Sequence, residues 1–161
     1  MFPPERIVCL TEETVETLYL LGEERRIVGV SGYAVRPARV RREKPRVSAF
    51  ISADFEKILA LEPDLVLAFS DLQADIAADL ARAGVNVHLF NQRSVQDILD
   101  MIALLAAMVG AAEQGGKLVE DLERGLDAVR EEAARDPAPR PKVYFEEWDE
   151  PLISGLARSP S

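Results

Sequence analysis

Short apolar runs alternate with amphipathic stretches along the first 110 residues of the chain. Runs of strand length lie at residues 6–10, 26–30, 46–48, 64–69 and 86–90. The run at 64–69 is almost continuously apolar, as is typical of a strand buried on both faces. Between the runs, apolar residues recur at helical spacing, and each stretch begins at a residue suited to capping a helix. We predict that Ser70 and Gln73 form a capping box for the helix through Arg82, and that Ser94 caps the helix that begins at Val95. This alternation predicts an α/β fold with an open, mostly parallel sheet and helices on both faces.

The longest helical pattern covers residues 111–135. Its apolar stripe consists of Leu118, Val119, Leu122, Leu126 and Val129. Such a helix is either a connector between two lobes or an outer helix of one domain, and the pattern favours the connector. Prolines then interrupt the chain, and residues 142–148 have the β-branched and aromatic character of a strand. We predict an N-terminal lobe at 1–110, a connecting helix at 111–135, and a linker with the first strand of a truncated second lobe at 136–161.

The residues that follow the strands are the candidates for ligand contact, because open parallel sheets bind ligands beyond the carboxyl ends of their strands. Three of these positions carry aromatic rings on loops: Tyr33, Phe50 and Phe69. The polar candidates at the same edge are Thr11, Ser70, Asp71, Asn91 and Arg93. The alternative is that each ring only covers the end of the sheet. Together the rings favour a large, flat or partly apolar ligand over a phosphate.

The sequence lacks the usual motifs of catalysis. No GxGxxG follows the first strand and there is no GxSxG elbow, so neither a dinucleotide site nor a hydrolase nucleophile is predicted. With one histidine, His88, and one cysteine, Cys9, a transition-metal site is not expected either. Six basic residues between positions 36 and 46 either engage an anionic ligand or partner, or form a solvated face. The solvated face is the more common outcome.

Composition narrows the range of partners. A net charge of −9 on 161 residues argues against nucleic acid as a partner. No apolar run reaches the roughly 18 residues that direct membrane insertion requires. The N-terminal residues show no signal-peptide pattern. The protein is therefore cytoplasmic if Met1 is the native start, or extracytoplasmic if a signal has been removed.

Nearly the whole chain resembles a known family. The segments RIVCLTEETVETLYLLG, RIVGVSGY and ADFEKILALEPDLVLAF are similar to the N-terminal lobe of helical-backbone substrate-binding proteins of ABC importers. The segment KVYFEEWDEPLISG resembles the strand that opens their second lobe. The resemblance is greatest to cobalamin-binding members. It implies that Tyr33, Phe50 and Phe69 line the ligand cleft, with phenylalanine at two sites where tryptophan is usual, and that Glu56 docks onto arginines of the permease.

The resemblance predicts a substrate-binding component of an ABC importer that binds cobalamin or a related corrinoid as transported ligand, without cofactor or catalysis. A ferric siderophore or haem is the alternative ligand within the family, and a flavodoxin-like enzyme or regulatory domain is the alternative of another class. Trp148 is expected in the cleft surface of the second lobe. Because no later strand is expected to pair with residues 142–148, we also predict a homodimer through residues 142–155.

Overall fold

The structure is a computed structural model that describes residues 3–136, 138, 142–144, 148–149 and 152–153. The chain divides into two compact units, Met1–Gly125 and Leu126–Ser161. The unit boundary falls within the long helix. The predicted boundaries at residues 110 and 135 stay predictions.

The first unit is built on a five-stranded sheet in which all strands are parallel. Its strands are β1 (Ile7–Cys9), β2 (Ile27–Ser31), β3 (Arg46–Ser48), β4 (Leu65–Phe69) and β5 (Val87–Phe90). Their order across the sheet is β3-β2-β1-β4-β5. The central strand β1 is completely buried, which explains why its sequence is uniformly apolar. Each strand lies within two residues of its predicted position.

Six helices connect or follow the strands in the described part of the chain: α1 (Glu12–Leu20), α2 (Val40–Glu43), α3 (Phe55–Ala60), α4 (Ala74–Arg82), α5 (Val95–Met108) and α6 (Ala112–Arg135). Buried residues of the helices and strands form two apolar clusters. One contains Leu18 of α1 and Leu105 of α5, and the other contains Ile58 of α3 and Leu80 of α4. Adjacent strand residues Ile7 and Val8 belong to different clusters, so the clusters lie on opposite faces of the sheet. The predicted fold is confirmed.

Local signals define most helix ends. Ser94 caps α5 as predicted, since its hydroxyl accepts a 3.1 Å hydrogen bond from the Asp97 N–H. The Asp97 carboxylate in turn accepts a 3.0 Å hydrogen bond from the Ser94 N–H, which completes a capping box. Ser70 differs from the prediction, because it caps a short 3₁₀ turn at Asp71–Gln73 and α4 begins only afterwards. This turn rotates Gln73 into the protein, where it is fully buried.

The long helix α6 begins at Ala112, one residue after its predicted start. Gly115 is its only buried residue within the described structure. The predicted apolar stripe does not become a buried face, since Leu122 is 39% exposed and Val129 is 65% exposed. Amphipathic spacing therefore predicted the helix correctly. No helix among the described residues combines the length and apolar character needed to cross a bilayer.

The expected strand at residues 142–148 is wrong for its described first part. Residues 142–144 form no regular structure, and Val143 and Tyr144 are exposed. A short strand β6 (Trp148–Asp149) instead pairs antiparallel with β7 (Leu152–Ile153). A later segment thus does pair with this region, which corrects the premise of the predicted homodimer. The Trp148 side chain and residues 145–147, 150–151 and 154–155 lie outside the described part of the chain, so the homodimer and the cleft position of Trp148 stay predictions.

Candidate ligand-binding site

The strand order creates a crevice beside β1. The chain passes from β1 to β2 and β3 on one side, and then returns to the other side for β4 and β5. The connections leave β1 and β4 in opposite directions, and the edge beyond the carboxyl ends of two such strands, called the crevice below, is where open parallel sheets bind ligands. The loops after the five strands surround this point. The predicted site residues all lie in these loops or at the strand ends that lead into them.

Four predicted residues form one cluster at the ends of β4 and β5. The Arg93 guanidinium donates hydrogen bonds of 2.8 Å to Asn91 Oδ1 and 3.1 Å to Asp71 Oδ1. Its central carbon lies 5.6 Å from the centre of the Phe69 ring. The Asp71 and Arg93 side chains are 84% and 58% exposed, so their pairing contributes little to folding. The cluster therefore presents an aromatic ring, a cation and an anion together at the surface.

The other two rings lie on neighbouring loops. Tyr33 follows β2 and is 58% exposed, and its N–H donates a 3.2 Å hydrogen bond to Ser31 Oγ. Phe50 follows β3 and is half-buried. The Phe50 carbonyl accepts a 2.7 Å hydrogen bond from the amide of Gln73. Both rings thus stand at the same edge of the sheet as the Phe69 cluster.

Large apolar side chains remain exposed after every strand from β2 to β5. We define the apolar rim by five of them: Tyr33, Val35, Ile51, Leu72 and Val95. A single exposed apolar residue is ordinary, but five of them in the loops and first helical turns at one edge of a sheet make that edge a candidate binding surface. Of these five residues, only Tyr33 was predicted from the sequence, because the prediction considered aromatic and polar residues after the strands and not aliphatic ones. The signal for the aliphatic members was their position directly after strands.

Thr11 and Ser70 do not face the crevice. They are only 1% and 0% exposed, respectively. The Thr11 hydroxyl lies 3.4 Å from that of Thr14, and Ser70 Oγ accepts a 3.3 Å hydrogen bond from the Leu72 N–H. This corrects the prediction that both contact a ligand, because their side chains are used to build the loops beneath it.

Ser70 adopts a backbone conformation that normally requires glycine. Its φ is 57° and its ψ is 176°, a region that places the side chain against its own backbone. The conformation is held by two main-chain bonds: the Ser70 N–H donates to the Phe90 carbonyl at 2.8 Å, and the Ser70 carbonyl accepts from the Gln73 N–H at 3.2 Å. Strained backbone of this kind concentrates at functional sites.

Sequence reasoning missed a polar contact across the crevice. Gln92 Nε2 donates a 3.2 Å hydrogen bond to Glu13 Oε1, which joins the start of α1 to the loop after β5. Burial raises the pKa of the Glu13 carboxyl, and hydrogen bonds from its own backbone N–H, Thr11 and Gln92 partly oppose the rise. From the sequence, Glu13 was identifiable only as an acid in the first turn of a helix. Its partner lies 79 residues away in the chain.

Three of the six basic side chains at 36–46 form ion pairs or hydrogen bonds within the protein. Arg36 pairs with Glu16 at 3.4 Å and Arg39 pairs with Glu24 at 3.1 Å. Lys44 donates hydrogen bonds of 2.8 Å and 2.7 Å to the carbonyls of Glu24 and Ile27. These contacts favour the solvated-face interpretation over an anion site.

His88 lies within the sheet. It belongs to β5, its ring centre is 4.4 Å from that of Phe90, and burial lowers its pKa.

Glu56 lies exposed in the first turn of α3, beside a 2.9 Å ion pair between Asp54 and Lys57. The described residues contain no group of three or more side chains that could hold a metal ion.

Comparison with known proteins identifies the family. The sequence profile described as Periplasmic binding protein matches residues 7–160. The chain belongs to the periplasmic binding protein family. The predicted resemblance is confirmed, and the flavodoxin-like alternative is not supported.

The relatives include several binding proteins. A vitamin B12-binding protein of Vibrio cholerae is 30% identical over 158 residues, which cover 98% of this chain and 56% of that protein. A solved structure of a periplasmic vitamin B12-binding protein, BtuF, of Vibrio cholerae superposes with a TM-score of 0.81 at 28% identity, covering 96% of this chain and 60% of that one. An uncharacterized ABC transporter substrate-binding lipoprotein of Bacillus subtilis is 29% identical over 134 residues, covering 81% of this chain and 42% of the lipoprotein.

A haem-binding structure is also similar. The periplasmic heme-binding protein BhuT, in complex with two hemes, superposes with a TM-score of 0.77 at 29% identity. The match covers 88% of this chain and 56% of that one. This chain thus spans about half the length of the relatives it matches.

Proposed function

We propose that this chain is a ligand-binding lobe of an ABC-importer substrate-binding protein, and that it binds a corrinoid such as cobalamin at the carboxyl edge of its sheet. The observation that carries the proposal is the apolar rim around the Arg93 cluster. A corrinoid combines a broad apolar ring with peripheral amide groups. The rim would cover the ring, while Asp71, Asn91 and Arg93 would bond to the amides.

The relatives support this class of ligand. Two of the proteins described above are named for binding vitamin B12 and heme, which are both large rings around a metal. Binding by burial of a flat ring requires no chemical step, so we propose that the ligand is released unchanged. The family and the lipoprotein relative support a location outside the cytoplasm and a permease as the partner.

Titration with three probes tests the proposal. Cyanocobalamin, hemin and a ferric hydroxamate siderophore are added to the protein in separate calorimetric experiments. Phe69→Ala and Tyr33→Ala should each weaken cyanocobalamin binding about tenfold, because each removes roughly 1–3 kcal/mol of burial and stacking. Leu20→Ala is the control, since Leu20 is 61% exposed at the far end of α1. No binding of cyanocobalamin, or an equal loss in the control, would contradict the proposal.

Haem is the second candidate, favoured by the exposed phenol of Tyr33. A tyrosine oxygen can ligate haem iron, whereas a stacking role needs only the ring. Tyr33→Phe separates the two roles. If hemin binds through the phenol, the variant should lose affinity and change the visible absorption spectrum. If cobalamin is the ligand, the variant should bind as the wild type does.

We also propose that Glu56 contacts the permease. It is exposed on a short helix, and its carboxylate makes no ion pair among the described residues. Glu56→Gln should leave thermal stability and ligand affinity unchanged and should slow association with the permease in a salt-dependent manner. Unaltered association at low salt would contradict this role.

A further inference from the structure

The fully buried side chain of Gln73 joins the ends of three strands. Its Oε1 accepts a 3.0 Å hydrogen bond from the Phe69 N–H. Its Nε2 donates to the Phe50 carbonyl at 2.7 Å and to the Leu10 carbonyl at 3.3 Å. Leu10 follows β1, Phe50 follows β3 and Phe69 ends β4. One amide therefore satisfies main-chain groups from three separate loops.

Two of these loops would otherwise be far apart. Strands β3 and β4 are three places apart in the sheet order, a separation of roughly 14 Å at the usual strand spacing. The loop after β3 nevertheless reaches the amide that follows β4. The half-buried Phe50 accepts this hydrogen bond at its carbonyl, and the donor is the fully buried amide of Gln73. The hydrogen bond thus holds the Phe50 loop over the crevice, on the same anchor as Phe69.

We infer that Gln73 is the positioning residue of the binding site, fixing Phe50 and Phe69 relative to each other. The inference rests on the proposed function for its effect on affinity. A glutamine is suited to this role because its amide offers a donor pair and an acceptor on one flat group. No apolar residue of similar length could replace these bonds.

The first test compares two destabilised variants. Gln73→Met keeps the side-chain length and removes every hydrogen bond of the amide. Leu80 is a fully buried core residue of α4, the helix that follows Gln73, and Leu80→Ala serves as the control for lost stability. The affinities are compared at denaturant concentrations at which the two variants have the same free energy of unfolding. Under these conditions Gln73→Met should bind cyanocobalamin about tenfold more weakly than Leu80→Ala. Equal affinities for the two variants would overturn the inference.

A second readout does not depend on the ligand. The Phe69 N–H should exchange with solvent at least tenfold faster in Gln73→Met than in Leu80→Ala, because only the former removes its acceptor. Exchange of the neighbouring β4 amides provides the reference. If cyanocobalamin fails to bind even the wild type, the proposed function fails while this measurement still tests the anchor. Unchanged Phe69 exchange would overturn the inference in either case.

A pH profile separates positioning from general packing. Gln73→Glu replaces the amide nitrogen, which donates to the Leu10 and Phe50 carbonyls, by a carboxylate oxygen. When it is ionised, this oxygen repels both carbonyls. Protonation restores one donor. The affinity of this variant relative to wild type should therefore recover as the pH is lowered, whereas the relative affinity of Gln73→Met should stay constant. A flat profile for the glutamate substitution would contradict the inference.

Discussion

Gly115 of α6 lies directly against Ala106 of α5. A Cβ atom at position 115 would collide with the Ala106 Cβ, and the Ala106 Cα is 3.7 Å from the same point. The absence of a side chain therefore lets the start of α6 pack closely on α5. The next residue, Gly116, has no atom within 4 Å of its own Cβ position.

These adjacent glycines predict opposite effects of the same substitution. Gly115→Ala should lower the free energy of unfolding by roughly 1–3 kcal/mol, because the backbone of α6 must move away from α5. Gly116→Ala should raise it by about 0.5–1 kcal/mol, because alanine is the better helix former and meets no neighbour. Urea denaturation measures both. Stabilisation by Gly115→Ala would show that the contact is looser than described.

The partly buried carboxyl of Glu13 should make the free energy of unfolding depend on pH. Its pKa is raised by burial, so the folded state holds the proton more tightly than the unfolded state. Stability from this group is complete below the ordinary pKa of 4.5 and is lost as the pH rises through the folded value. Glu13→Gln should therefore be more stable than wild type at pH 7, with the advantage disappearing below 4.5. Melting temperatures across this range provide the measurement, and a constant difference would contradict the assignment.

The strained backbone at Ser70 predicts an unusual order of substitutions. Ser70→Gly should change stability by less than about 1 kcal/mol, since relief of strain offsets the lost hydroxyl bond to the Leu72 N–H. Ser70→Val should cost at least about 2 kcal/mol, because a β-branched side chain at this φ is both strained and overpacked. Denaturant titration of the two variants decides the matter. Equal stability of both would remove the argument for strain.

The Arg93 cluster should affect binding more than folding. Arg93→Met should change the free energy of unfolding by less than about 1 kcal/mol, as the pair with Asp71 is exposed. It should weaken cyanocobalamin binding about fivefold through loss of its hydrogen bonds and of the charge beside Phe69.

Arg82→Met is the matched control for this prediction. Arg82 forms an equally exposed ion pair with Asp79 on α4, away from the loops of the crevice. A similar loss of affinity in both variants would indicate long-range electrostatics in place of direct contact.

The sheet could be predicted from the sequence because burial on both faces leaves uniformly apolar runs, as at residues 64–69. The helix α2 was not predictable, since only Val40 within it is buried and no periodicity results. For α6, amphipathic spacing identifies the helix but does not tell whether anything covers its apolar face, and Leu122 and Val129 are exposed.

The site was predictable in position but only partly in its contacts. Phe69, Asp71, Asn91 and Arg93 follow two adjacent parallel strands, so topology alone brings them together. The role of Gln73 was hidden, because two of its three partners, Leu10 and Phe50, lie 63 and 23 residues away in the chain. Local pattern indicated a helix cap at this position and gave no reason to turn the side chain inward.

The apolar rim also sets the conditions under which the protein stays dispersed. At neutral pH a net charge of −9 should oppose adhesion between the rims of different copies, even though each rim exposes aliphatic and aromatic side chains to water. Near the isoelectric point of about 4.7 that repulsion disappears, and the rims of different molecules can then adhere. A compound that covers the rim should keep the protein in solution at this pH. Light scattering in the presence of candidate compounds could therefore rank ligands without any knowledge of their chemistry.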